Sequence, residues 1–324
     1  MTTNLPLPAT YHPFTIGKYS VLPGLHRFSH AFGNDVADQH TFQIDTTFES
    51  YRATKLLARA NSMSQHVLIS PDDGAIIAEV CRFIAHRLVD DHPQWFRLDG
   101  DETQRRLNCM LTDEVLCFDS DWQLNPAATQ THVVPAYTSA LDALACHVQE
   151  DLAIVHMSDD ANGLSALHVC FPSAWNPVEK MGRDFAQVHQ PVPGMEPTNA
   201  KQDRFVNLMV NTTDGRVRFT WGIQWDDQLN RHKASATPEA DYPPFDPNAP
   251  AAYVRVERQT MWGLPEHRAS LFTIRPYLYD LRDIKHNTEA AHGLADSVES
   301  MSPESLSYKG LKLNHRALIN WLRD

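Results

Sequence analysis

The chain has 324 residues, 42% of them hydrophobic, and a formal net charge of −12. That length suits one large domain with extensions, or two, and is ample to bury a sizeable core. The acidic balance argues against nucleic acid, whose binding relies on neutralising phosphates, and no apolar run is long enough to cross a membrane.

Residues 1–40 are punctuated by proline and glycine and are expected to wrap the surface of a main domain spanning 41–280. The N-terminus lacks the basic, then apolar pattern of a signal peptide. From Asp45 to Ser62, Phe48, Leu56, Leu57 and Ala60 recur at near-helical spacing. His66 to Ser70 reads as a short strand before a Pro-Asp-Asp-Gly turn. Ile76, Ile77, Val80, Phe83, Ile84 and Leu88 predict an amphipathic helix over Ala75 to Val89. Glu114 to Phe118 reads as a strand and Ala136 to Val148 as a helix. Leu152 to Met157 and Leu164 to Phe171 flank Asn162-Gly163, a strong hairpin signal.

A single capped helix is predicted next. Asn176 is its N-cap, Pro177 its first position, and Val178, Met181, Phe185, Val188 and His189 form one stripe. Pro191 and Pro193 stop it. Ala200 to Val210 reads as a further helix and Arg216 to Trp225 as a strand. The acidic, proline-rich stretch from Asp226 to Pro250 reads as a surface loop or lid. Tyr253 to Trp262 and Ala269 to Tyr277 form a second hairpin, and a helical extension occupies 281–324, with its last helix over Leu311 to Leu322. This order predicts an α+β fold with an antiparallel sheet and flanking helices.

Five scattered cysteines, Cys81, Cys109, Cys117, Cys146 and Cys170, form no C-x-x-C pair. Neither a zinc ribbon nor a ferredoxin-type cluster is encoded, and an odd, irregular set argues for a reducing, cytoplasmic setting. Several polar residues carry two readings. His189 is a core histidine bonded to a carbonyl, or a metal ligand offering neutral imidazole. Gly182 would lie on its face two turns earlier, where a helical glycine marks close approach of something flat or bulky. Alternation puts Arg258 among Val254, Val256, Thr260 and Trp262 on one strand face. It is an edge arginine with its head in water, or a buried guanidinium paired with an anion; Arg275 has the same two readings. Gln259 and Thr260 are ordinary strand residues, or polar contacts in an apolar pocket. Glu150 and Asp151 form a solvated helix–strand junction, or hold a substrate ammonium and relay protons. Trp175 is core, or a stacking surface.

Six motifs carry a resemblance. Gln149-Glu150-Asp151-Leu152 and His168-Val169-Cys170-Phe171-Pro172-Ser173-Ala174-Trp175-Asn176-Pro177 precede Glu179-Lys180-Met181-Gly182 and His189-Gln190-Pro191-Val192-Pro193-Gly194. Arg255-Val256-Glu257-Arg258-Gln259-Thr260 and Leu271-Phe272-Thr273-Ile274-Arg275 follow. In order and spacing, over roughly residues 40 to 280, these motifs resemble the heme-dependent oxidative N-demethylase family. The resemblance implies a PAS-like heme-binding fold carrying heme b. It implies removal of a methyl group from a small methylated amine as formaldehyde, using O₂ and electrons from separate flavin and iron–sulfur reductase components. His189 is then the expected iron ligand, since a PAS-type heme ligand is expected on the helix beside the sheet; His168, mid-strand, is the rival. Arg258 and Arg275 become candidates for the heme propionates, Trp175 and Gly182 for the macrocycle, and Glu150, Asp151, Gln259 and Thr260 for catalysis. Thr220 departs from the family pattern, where asparagine is expected before the tryptophan, and a different substrate is expected if that position touches it. A heme-PAS sensor or binding module without turnover is the alternative reading, and a heme-free structural relative a third.

Overall fold

The computed structural model describes residues 4–22, 24–159, 161–233 and 244–324. The strands are β1 (His26–Arg27), β2 (Val67–Ile69), β3 (Phe96–Gly100), β4 (Gln104–Cys109), β5 (Glu114–Asp119), β6 (Asp151–Met157), β7 (Asn162–His168), β8 (Arg216–Gln224), β9 (Tyr253–Leu264) and β10 (Ala269–Asp280). The helices are α1 (Phe48–His66), α2 (Gly74–Asp91), α3 (Ala140–Ala145), α4 (Pro177–Lys180), α5 (Phe185–His189), α6 (Glu196–Asn199), α7 (Gln202–Asn211), α8 (Leu281–Lys285), α9 (Thr288–Glu299), α10 (Pro303–Tyr308) and α11 (His315–Arg323).

Seven strands form one sheet in the order β1-β8-β9-β10-β6-β7-β2, and β3-β4-β5 form a second. Every pairing within both sheets is antiparallel. The α+β class expected from the pattern is therefore the one observed. No helix among the described residues is long and apolar enough to cross a membrane.

One face of the large sheet, here the far face, is covered twice. Leu152, Ile154, Ala166 and Leu271 pack with Val80, Ile84 and Leu88 of α2 and with Leu141 and Leu144 of α3. Val254, Val256 and Tyr277 pack with Leu294 and Val298 of α9 and Leu318 and Leu322 of α11. Strand β9 turns Val254, Val256, Arg258, Thr260 and Trp262 to this face, as alternation predicts, and the residues between them to the other. Gly263 is required where β9 passes α7, because a Cβ there would lie 2.5 Å from the carbonyl oxygen of Val210.

Two expectations are corrected. The single helix over 176–189 is two short ones, α4 and α5. Gly182 lies between them at φ +73°, a left-handed conformation that ends a helix and suits glycine. No atom lies within 4 Å of a Cβ built on it, so its role is to turn the chain and not to admit a close neighbour. Likewise Asn162 and Gly163 are not the hairpin turn. They begin β7, paired with Met157 and His156, and the connection precedes them.

Candidate functional site: a cavity over the large sheet

The second face of the large sheet floors a cavity of about 1430 Å³, above the roughly 300–1,000 Å³ usual for drug-sized ligands. Ala153 and Val155 from β6, Leu164 from β7, and Phe272 and Ile274 from β10 make an apolar floor. Trp175, Phe185, Val188, His189, Val192, Phe205 and Met209 make the opposite wall, and Tyr19, Tyr308 and Lys309 close an edge.

His189 ends α5, which a reciprocal capping box between Asp184 and Gln187 starts. Its Nδ1 lies 2.8 Å from the carbonyl oxygen of Phe185. A carbonyl only accepts, so Nδ1 carries the proton and Nε2 the lone pair. Nε2 has no hydrogen-bond partner among the described residues. Burial lowers the histidine's pKa, which keeps the ring neutral at pH 7. Phe185 stacks beside it with ring centroids 4.2 Å apart.

A polar patch interrupts the apolar floor where β8 and β9 pair. Register sets Thr220 opposite Glu257 and Arg218 opposite Gln259. Glu257 Oε1 accepts from Arg255 Nε at 3.0 Å. Its Oε2 accepts from Gln259 Nε2 at 3.2 Å and Thr220 Oγ1 at 3.3 Å. Arg255 also donates to the carbonyl oxygens of Phe171 at 2.5 Å and Leu229 at 3.1 Å, so the carboxylate is braced by two loops. Arg218 lines the same wall. Its Nε is buried without a hydrogen-bond partner. Burial pulls its pKa down to about 10, partly offset by the charge of Glu257.

Of the residues singled out from sequence, His189, Trp175 and Gln259 line this cavity. Thr220, singled out as a departure from the expected pattern, lines it too, and the others lie elsewhere. Arg258 and Thr260 are on the far face, where Arg258 donates to the carbonyl oxygens of His40 and Thr41 and Thr260 bonds Thr273 at 2.7 Å. Arg275 pairs with Asp45 at 2.5 Å and donates to the carbonyl oxygen of Gln43. Glu150 and Asp151 are not a solvated junction: both are buried. Glu150 accepts from the backbone N–H of Gln43 at 2.9 Å, and burial raises its pKa. Asp151 accepts from the backbone N–H groups of Cys170 and Phe171, each at 2.8 Å. Burial pushes its pKa up to about 6, partly offset by Lys55. Gly182 does not line the cavity.

His168 belongs to a buried far-face cluster with Asp142 and Cys146, the one grouping among the described residues with metal-ligand proximity. Asp142 is already bound through both oxygens by Arg59, each at 2.7 Å. Burial would raise its pKa, but the hydrogen bonds from His168 and Arg59 outweigh it and hold the carboxyl well below the usual range. A carboxylate so engaged with a guanidinium is a structural ion pair, not an open cation site.

Sequence reasoning did not assign Glu257, Arg255 or Arg218 to a site. A signal was present: Arg255, Glu257 and Gln259 are three polar residues at period two on a strand whose other positions are mostly apolar. The family model described as haem-dependent oxidative N-demethylase, alpha subunit-like matches residues 34–319, which include β6 to β10 and α5 to α7 around the cavity, and the chain belongs to that family.

Proposed function

We propose that the cavity binds heme b with His189 Nε2 as the residue that would hold the iron, and that the protein is the catalytic subunit of an oxidative N-demethylase. The single observation that carries this reading is the state of His189. Metal-ligating histidines donate their other ring N–H to a carbonyl or carboxylate, which fixes tautomer and ring orientation, and His189 does so within its own helix turn. His168 offers no such access, since it is wholly buried behind the sheet. Trp175, Phe185 and Val188 supply the apolar walls a flat macrocycle needs. Lys180, Arg183, Arg231 and Lys233 line the same cavity, and cations suit the two carboxylates of heme. The antiparallel sheet with helices over its ligand face supports a PAS-like assignment, and five free thiols support a reducing, cytoplasmic setting.

Bound heme would supply O₂ activation, with electrons from separate flavin and iron–sulfur components; an alpha subunit by family description implies partners. The overall conversion consumes one methylated amine, one O₂, two electrons and two protons, and yields the demethylated amine, formaldehyde and water. Glu257 is the group we assign to the substrate nitrogen. Its Oε2 takes only two long bonds from neutral donors, so it retains acceptor capacity for an ammonium N–H. Gln259 and Thr220 orient that oxygen. Asp151 is assigned a positioning role: it pins the backbone at Phe171, whose carbonyl holds Arg255, which holds Glu257.

The test is an absorption spectrum of the purified protein, oxidised and dithionite-reduced, with and without CO, followed by a formaldehyde assay with methylated amines and a reductase. A Soret band that shifts on reduction and again with CO, with formaldehyde release, is the expected result. No Soret band after growth with heme precursor overturns the reading; a band without turnover of any amine leaves a binding module.

A further inference from the structure

We propose that the substrate amine carries its own carboxylate, as in an N-methylated α-amino acid, and that Lys309 and Arg218 receive it while Glu257 holds the ammonium. This rests on the reading above that the cavity takes a methylated amine. Lys309 comes from the C-terminal extension, just after α10, and lies over β8. A Cβ on Gly222 would sit 3.6 Å from its Nζ. Gly222 and Thr220 share a strand face, and register puts them opposite Arg255 and Glu257. The ammonium of Lys309 therefore stands beside the strand pair that bears Glu257. One of its N–H groups donates to the carbonyl oxygen of Trp221 at 2.8 Å. Among the described residues it makes no ion pair.

Arg218 is two residues before Thr220 on the same face and likewise makes no ion pair among the described residues; its buried Nε has no partner. The charge of Glu257 acts on both cations, yet its ion pair is with Arg255 alone among the described residues. One carboxylate and two cations thus share a desolvated wall, close enough to interact and held apart from direct contact.

Charge balance decides between ligands. Glu257 is already matched by Arg255. A bare alkylammonium added there would face Arg218 and Lys309 with no new anion, and like charges in a desolvated site repel. A ligand that brings a carboxylate pairs with Arg218 and Lys309 and leaves its ammonium on Glu257. Guanidinium suits that carboxylate through two parallel hydrogen bonds.

Calorimetric titration of the heme-loaded protein with N,N-dimethylglycine and with dimethylamine tests this. The expected result is tighter binding of dimethylglycine by about tenfold or more, roughly one strong charged contact. Lys309→Met and Arg218→Met should each erase the preference at unchanged heme content. Equal or tighter binding of dimethylamine overturns the proposal. Loss of heme in both variants also overturns it, because the cations then serve the cofactor's carboxylates. If neither amine binds and Glu257→Gln changes nothing, the assignment of Glu257 fails, and this proposal with it.

Discussion

The two faces of the large sheet are built from the same strands, one residue out of step, and treat charge oppositely. On the far face Arg275, Arg59 and Arg258 each find a carboxylate or carbonyl partner, although Arg275 Nε and Glu150 Oε2 make no hydrogen bond of their own. Arg275 meets Asp45, Arg59 meets Asp142, and Arg258 caps two carbonyls. On the cavity face Arg218 makes no ion pair among the described residues and its Nε is buried without a partner, and Glu257 keeps an under-used oxygen. Burial of a charge alone therefore marks no site in this protein. An unmatched charge facing a cavity does, because leaving it unpaired is costly unless a ligand completes it.

Three substitutions sharpen that contrast. The largest effect is expected from Arg275→Met, which strands Asp45 at 2.5 Å and Glu150 at 4.0 Å without their counter-ion. It should lower stability by about 3–5 kcal/mol in urea denaturation. Next comes a pH effect on the far-face side, where Glu114 meets His147 at 2.8 Å and Arg52 at 2.5 Å. Burial would raise Glu114, but His147, Thr131 and Arg52 outweigh it and bring its pKa from 4.5 to about 2. A depressed carboxyl contributes stability that is full above pH 4.5 and lost as pH falls towards about 2. Glu114→Gln should therefore be less stable than the parent at neutral pH, with the two stability curves converging on acidification. Parallel curves across that range would break the assignment. The smallest loss is expected for Arg218→Met on the cavity face, which removes a buried charge without an ion-pair partner among the described residues and should leave the ligand-free protein as stable as the parent or more so. A loss as large as that of Arg275→Met would mean that the two faces do not differ as described.

Much of the fold was legible because its period was. The stripe from Ile76 to Leu88 is α2, and the alternation after Tyr253 and Ala269 is the β9–β10 hairpin. Strands β3 and β4 escaped because Arg97, Asp99, Gln104, Arg105 and Arg106 leave little apolar alternation, and Leu107 and Cys109 alone bury in β4. The helix over 176–189 was overextended because Val178 and Met181 keep the helical spacing across a glycine that turns the chain, and Val178 is exposed. His189 was singled out with a stripe of which only Phe185, Val188 and His189 line the cavity; Val178 and Met181 do not. For Arg258 and Arg275 the grouping by alternation was right, but the ligand side of the strand was not readable. Both faces of β9 carry buried residues, so polarity gives no inside and outside. Only the position of α5 and α7 over the sheet decides which face is the floor. Part of the expected lid, residues 234–243, lies outside the described residues.

The central claim is that His189, and not His168, holds the iron. Its most direct test is the Soret spectrum and heme content of His189→Gly, with and without added imidazole, beside His168→Ala. The prediction is loss or displacement of the band in His189→Gly, recovery with imidazole, and a parental band position in any folded His168→Ala. A parental spectrum and full heme content in His189→Gly without imidazole would contradict it.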